Sequence, residues 1–327
     1  MRPPDEERGA ALLTVLLLVA IISVLAATAL ERLRLSTRLA GNAAAIEQGR
    51  AFAQAAETLA LSRIDALLGQ GATRVTLAGG WSERPFALPL PNGGGAATAR
   101  VSDGGNCFNL NGLVEPVRGS AGLYQTNSGA RAHFARLMRL IGVPASVAEQ
   151  VAAGAADWID SDDEVQPQGA EDAAYQRGET PYRTAGTLMA DKSELRAVSG
   201  VTPDLYAKLR PWVCALPVAR LSDLNVNTLT PEQAPLLTAQ FGDGTPPGLA
   251  RDALLRRPAA GYNDLSPFLA QFAASGFNPI DRHLATTTRW FAVRIDVPTG
   301  SGVEEHALID ANRLPARLVS RQWGEAS

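Results

Sequence analysis

The chain has 327 residues, enough for two packed units beyond a terminal anchor. A formal net charge of −3 supplies no basic field for nucleic acid. With 46% hydrophobic and only 6% aromatic residues, the bulk of the chain reads as globular.

The first element is an apolar run from Ala10 to Leu30 with no charge and no proline. As a helix it spans about 30 Å, one hydrocarbon thickness, so it is predicted to cross a membrane once. A secretory signal carries its cleavage site after the apolar core. Here Gly9 ends a charged leader before the core, so cutting at Gly9 leaves the helix on the mature protein, starting at Ala10. An ordinary N-terminal anchor is the alternative. Arg2 and Arg8 precede the run among Asp5, Glu6 and Glu7, while Arg32, Arg34 and Arg38 follow it. The positive-inside count alone therefore mildly favours the opposite orientation.

Helical periodicity continues beyond Leu30. Ile46, Ala53, Ala60, Ile64 and Leu67 line one face, with a soft point expected at Gly41-Asn42 and Gly49 and a stop before Gly69-Gln70-Gly71. Val75 to Trp81 and Ala97 to Asn109 read as strands, broken by Gly79-Gly80 and Gly93-Gly94-Gly95. Far downstream, Phe291, Val293, Ile295 and Val297 alternate with polar residues, turn at Pro298 to Gly302 and return as Val303 to Ile309, a hairpin with one face to a core. A last strand is expected from Arg317 to Trp323.

Between these strands the pattern is helical. Helices are expected at His133 to Ile141, Ser146 to Ile159, Lys192 to Val198, Pro203 to Val213, Pro231 to Gln240, Gly248 to Leu255 and Leu265 to Ala274. Thr202-Pro203 and Thr230-Pro231 place a threonine N-cap before a first-turn proline, and Gln233 completes a capping box with Thr230. Strands on both sides of a helical block imply an α+β fold: an N-terminal helix on a small antiparallel sheet, with a large all-α domain inserted between strands.

The densest carboxylate cluster is Asp157-Trp158-Ile159-Asp160-Ser161-Asp162-Asp163-Glu164, followed by Glu171-Asp172. Counting Asp160 as position 1 of a calcium loop puts Asp162 at 3, Glu164 at 5 and Glu171 at 12. Val165 replaces the glycine that an EF-hand turn needs and Pro167 follows, so the geometry differs from that motif. Asp160, Asp162, Glu164 and Glu171 are the preferred calcium ligands, with Asp163 and Asp172 in reserve; a solvated acidic loop is the alternative. Cys107 and Cys214 form an even pair, read either as a disulfide in an exported domain or as two reduced core cysteines.

Catalytic signals are lacking. No G-x-S-x-G, Walker loop, dinucleotide fingerprint or C-x-x-C occurs, and His133, His283 and His306 have no metal-ligand spacing. The expectation is a protein that is not an enzyme. The turns at Leu195–Thr202 and before Thr230 are similar to helix-hairpin-helix modules that offer backbone N–H groups to phosphates. Glu194 and Asp223 sit beside them without basic clusters, so they read as connectors rather than a nucleic-acid site.

The leader ending at Gly9 resembles that of type IV pilins and pseudopilins. Together with Phe108-Asn109-Leu110-Asn111, Asp157-Trp158-Ile159-Asp160, Gly169-Ala170-Glu171, Tyr175 and Asn225-Val226-Asn227-Thr228, it makes the chain resemble the K subunits (GspK family) of the type II secretion system, which are minor pseudopilins. Thr14 stands where most pilins carry glutamate at the fifth mature residue, a lack the K subunits share. The resemblance implies a cleaved leader over residues 1–9 and N-methylation of Ala10. It implies a helix over 10–70 with its transmembrane part at 10–30, a pilin-like β region over 71–112 and 290–327, and an inserted α-helical domain with helix-hairpin-helix (SAM-like) segments over 113–289. It further implies bound calcium and a tip position on a periplasmic pseudopilus that helps start its assembly and export folded proteins. The expected setting is the bacterial inner membrane, single-pass, with the C-terminal part in the periplasm. The expected partners are other minor pseudopilins and the prepilin peptidase, with no nucleic acid. A minor pilin of a type IV pilus and a membrane-anchored DNA receptor are the alternative readings.

Overall fold

The structure is a computed structural model that describes residues 5–69, 73–82, 84–91, 94–177, 180–273, 276, 283–298 and 302–324. Several expected features lie outside the described residues: part of the leader (1–4), Gln70 and Gly71, Gly93, Ala274 and the turn residues 299–301. Helix α1 (Asp5–Leu68) runs unbroken through Gly41, Asn42 and Gly49. Among the described residues, none buries the stretch from Ala10 to Leu39. Leu12 to Leu39 all face outward, and the best 18-residue window reaches a mean hydropathy of 2.9 with no burial. Apolar surface on this scale is stable only against an apolar surrounding. Within this stretch the Thr14 hydroxyl donates back to the Ala11 carbonyl at 2.8 Å, satisfying itself inside the helix. The second half is different. Ala53, Ala56, Ala60 and Ile64 are buried, so the stripe read from the sequence is the face that meets the sheet.

That sheet has the order β1 (Phe86–Pro89), β2 (Ala96–Asp103), β9 (Trp290–Val297), β10 (Val303–Asp310) and β11 (Arg317–Trp323), antiparallel throughout. Register places Val101, Val293 and Ala307 in one row across β2, β9 and β10, all turned to α1. Two local expectations change. Val75 to Trp81 is a strap with one 3₁₀ turn at Ala78–Gly80, because Gly79 and Gly80 take φ of 79° and 64° and end any extended run. The missing edge strand is β1, whose terminal Pro89 suits only a sheet edge.

The chain leaves the sheet at Asp103 and returns at Trp290, and a second core fills the interval. Its elements are β3 (Phe108–Asn109), β4 (Val114–Pro116), β5 (Tyr124–Thr126), α2 (Ser128–Leu140), α3 (Ala145–Ile159), α4 (Asp172–Tyr175), α5 (Pro203–Leu209), β6 (Val213–Cys214), β7 (Leu224–Asn225), α6 (Ala234–Thr238), α7 (Pro247–Leu255), α8 (Ser266–Ala273) and β8 (Leu284–Ala285). The insert is mainly helical, with three short pairs added: β3–β6 and β7–β8, both parallel, and the antiparallel hairpin β4–β5. Helix α2 starts earlier than its apolar pattern suggests, since the Asn127 side chain accepts from Ala130 N at 3.0 Å. Residues 192–197 form a 3₁₀ helix under a capping box from Asp191 and Glu194. Helix α5 stops at Leu209 because Val213 and Cys214 are taken by pairing with β3. The Pro231 segment splits into a 3₁₀ turn, α6 and another 3₁₀ turn, with Pro235 inside α6 and Gly242 at φ 81° ending it.

At the helix–sheet seam two carboxylates share one cation. Arg321 on β11 binds Glu57 of α1 through two 2.8 Å bonds, and its Nε lies 3.5 Å from Glu305 of β10. Glu305 is completely buried, and burial followed by the Glu57 charge pushes its carboxyl up to about 8. In the unfolded chain Glu305 ionises near its ordinary value of 4.5. Its contribution to stability is therefore full below that value and is lost progressively up to about pH 8. In Glu305→Gln this loss should vanish. Thermal unfolding of the solubilised chain should shift in the variant's favour by up to about 1.4 kcal/mol per pH unit between pH 5 and 8, then level off. A wild-type-to-variant gap that stays constant over this range would refute the raised Glu305 carboxyl.

Candidate functional site

Helix α3 carries the centre of the acidic cluster. It is built from small residues, and everything from Val151 to Ile159 is buried. Asp157 and Asp160 stand three apart on its last turn, so they project to the same side, at the negative end of the helix dipole. Glu171, just before α4, is the third buried carboxylate. Asp157 accepts from Gln166 N at 3.3 and 3.2 Å, and Thr126 on β5 donates to Asp160 Oδ2 at 2.6 Å. Asp160 Oδ1 and both Glu171 oxygens are buried without a hydrogen-bond partner.

The electrostatics are out of balance. Burial pushes Asp157 and Asp160 up to about 6, aided by neighbouring acids, and pushes Glu171 up to about 8, aided by Asp157 and Asp160. The loop is shaped to bring them together. Gln168 takes a left-handed φ of 70°, and a Cβ on Gly169 would meet Asp157 Oδ2 at 2.0 Å, so only glycine lets the chain pass there. Trp158, Tyr175 and Tyr182 cluster beside the loop at centroid distances of 5.1–6.1 Å, with the tryptophan edge-to-face against both tyrosines. Tyr175 Oη accepts from Ser199 N, and Tyr182 Oη donates to the Ala197 carbonyl, pinning that wall to the next connector.

The other acids read from the sequence are arranged differently. Asp162, Asp163 and Glu164 are exposed, with Asp162 accepting from Glu164 N at 2.9 Å. Asp172 is engaged by Thr184 N and Oγ1 and lies 3.6 Å from Arg183. Among the described residues no three His, Cys, Asp or Glu side chains already stand at metal-holding positions. The donor set nonetheless fits a hard cation: three buried carboxylates, three orphaned oxygens and no basic side chain bonded to them. Asp157 belongs to this set although the loop count from Asp160 passes over it; its signal was the three-residue helical spacing.

The two asparagine motifs do a different job. Asn109 bonds Val218 O, Arg220 O and Leu216 N, while Asn111 bonds Met189 N, Met189 O and Leu216 O. Asn225 donates to Val75 O at 3.0 Å and Thr288 Oγ1 at 2.9 Å, and its Oδ1 accepts from Asn227 N. Asn227 in turn clasps Tyr262 through both its N–H and its carbonyl. Asn106 donates to Thr228, and the Thr228 and Thr288 hydroxyls both reach Asp103 Oδ2. Each motif imitates a strand neighbour for backbone that has none. Asp103, Asn106 and Thr288 were not legible as partners, since nothing local marks them.

Cys107 and Cys214 are joined as a disulfide between β3 and β6, with Cα atoms 5.8 Å apart. The histidines are dispersed: His133 is buried against Phe108, with burial and then Arg136 lowering its pKa to about 3, while His283 and His306 lie beside Asp223 and Glu304. In the Leu195–Thr202 turn the backbone donors are spent internally. Ser199 N goes to Tyr175, Val201 N to Val198 O and Leu205 N to Thr202 Oγ1.

Sequence profiles described as Type II secretion system (T2SS), protein K match residues 106–218 and 224–287. The chain is similar to the type II secretion system protein K of Pectobacterium carotovorum subsp. carotovorum, 34% identical over 98% of this chain and 97% of that one. The protein K of Aeromonas hydrophila is 35% identical over 90% of each. A solved structure, the GspK-GspI-GspJ complex from the enterotoxigenic Escherichia coli type 2 secretion system, superposes with a TM-score of 0.73 at 32% identity, covering 85% of this chain and 96% of that one.

Asn225→Ala should leave the Val75 carbonyl and the Asn227 N–H unpaired in the interior. At about 1–3 kcal/mol for each such group, unfolding should become easier by about 3 kcal/mol, measured from the denaturant midpoint of the solubilised chain. A loss below about 1 kcal/mol would mean that water replaces the clasp.

Proposed function

Since the chain belongs to the type II secretion system protein K family, we propose that it is a minor pseudopilin, a structural and non-enzymatic component of the short periplasmic pseudopilus. The observation that carries this reading is the near end-to-end match to protein K sequences together with the fold shared with the GspK-GspI-GspJ complex. Its apolar helix holds the precursor in the inner membrane, with the sheet and insert in the periplasm. Prepilin peptidase cuts after Gly9, and Ala10 becomes the methylated N-terminus. Thr14 cannot supply the carboxylate that offsets a neighbour's N-terminal ammonium in an apolar bundle, where an unpaired charge is costly. A single copy at the tip needs no such repeat, and a bulky insert fits a tip better than a packed filament. From the tip the subunit helps start assembly and export of folded proteins.

Calcium is part of the same proposal. Asp157, Asp160 and Glu171 form the buried half of the ligand set, and Asp162 and Glu164 supply oxygens from the exposed part of the loop. The ion would neutralise carboxylates that otherwise retain protons or repel one another, and would lock the loop between α3 and α4. The chain's own groups orient the donors: Gly169 gives the clearance, Gln166 N holds Asp157, and Thr126 holds Asp160.

Two outcomes are expected. Co-expressed with the other minor pseudopilins of its system, the chain should elute with them as one defined heteromer; a chain that always elutes alone would overturn the assignment. Added calcium should raise the melting temperature relative to chelator, worth about 2.7 kcal/mol at a hundredfold excess over Kd. Glu171→Ala should shrink that gap, and identical melting in both conditions would leave the acidic loop merely solvated.

A further inference from the structure

A cleft of about 310 Å³, lined by none of the acidic-loop residues, lies between the strap after α1 and the end of α7. Its walls include Leu77, Pro231, Leu255 and Pro258, with Asn227 and Arg257 as polar groups among them. The walls approach closely because residue 261 is glycine: a Cβ there would meet Thr76 and Asn227 at 2.7 and 2.8 Å. Asn227 is already fully clasped by Tyr262, so it offers little to a ligand.

Arg257 is the unusual member. One of its nitrogens donates to the carbonyls of Val226 at 3.0 Å and Leu229 at 2.6 Å. No carboxylate among the described residues bonds it, and burial lowers its pKa against a smaller opposing effect from Tyr262. A guanidinium carries five N–H donors, and a half-buried cation without a counter-charge is costly. Beside it, Leu77 and Leu255 are 37% and 61% exposed at the cleft. An apolar wall next to an uncompensated cation specifies an amphipathic anion. The volume is at the small end for ligand pockets, which suits one amino-acid side chain and an adjacent carboxylate rather than a long acyl tail.

We propose that this cleft docks a segment of a partner protein that presents a leucine-sized side chain beside a carboxylate, the carboxylate pairing with Arg257 and the side chain covering Leu77 and Leu255. The site is separate from the carboxylate cluster and does not depend on calcium.

The test titrates the full chain in nanodiscs with the acetylated tripeptide amide Leu-Leu-Glu, read by calorimetry. The Glu peptide should bind at least tenfold more tightly than its Leu-Leu-Gln counterpart. Leu255→Glu, a change at an exposed rim position that spares the fold, should weaken the Glu peptide tenfold or more. Arg257→Gln should abolish the preference for Glu over Gln, with its circular dichroism checked against wild type. Equal binding of the two peptides, unchanged binding in Leu255→Glu, or no binding of either peptide would overturn the proposal. Hexanoate binding as tightly as the Glu peptide would also overturn it, marking a small-carboxylate site instead.

Discussion

Strands β2 and β9 are neighbours, so the chain must leave the sheet at Asp103 and re-enter at Trp290 over nearly the same spot. Everything between has to close on itself, and the closure is made of polar groups. Asp103 receives Thr228 from the middle of the insert, Thr288 from its end and Gly105 N from its start. Asn225 ties the same place to Val75, on the strap from α1. Short side-chain hydrogen bonds suit a crossing point, because they fix direction as well as distance. Where apolar packing alone would tolerate sliding, this junction sets how the insert leaves the sheet.

Two carboxylate problems in the molecule have different solutions. At the helix–sheet seam Arg321 supplies the cation, and a proton on Glu305 removes the remaining excess. In the α3–α4 loop no basic side chain among the described residues bonds the buried trio, and the helix dipole worsens the repulsion. The first arrangement is complete within the chain. The second leaves three buried carboxylate oxygens without a hydrogen-bond partner among the described residues, which is why the loop rather than the seam is the candidate metal site.

Helix α1 meets two surroundings along one axis. Residues 10–30 carry no charge on any side, and the second half is apolar on one stripe that the sheet covers. The sheet and its insert are therefore carried on a rod whose other end is suited to lipid or to a bundle of similar helices. The disulfide between β3 and β6 sits close to the crossing point and ties the two ends of the first half of the insert, residues 107 and 214. In the chain-entropy view, closing a loop of this length constrains the unfolded state by roughly 4–5 kcal/mol.

Period and punctuation determined much by themselves. The apolar run, the helix stripe, the β9–β10 hairpin and β11 were legible because each is set by side chains a few residues apart. The acidic loop, Asp160 and Glu171 included, and the Asn-rich motifs are legible as motifs. What only the tertiary structure decided involves partners far apart in the chain. Val75 to Trp81 has strand composition, yet Thr286 and Asn225 take the backbone groups of Val75 and the turn at Gly79-Gly80 ends any extended run. Residues 210–213 continue a helical pattern, yet pairing with β3 claims Val213 and Cys214. Glu171 meets Asp157 and Asp160 because the loop brings it back against α3, and Asn225 clasps a strap 150 residues earlier. Local sequence sets what a segment prefers; the orphaned donors and acceptors of distant segments decide which preference is used.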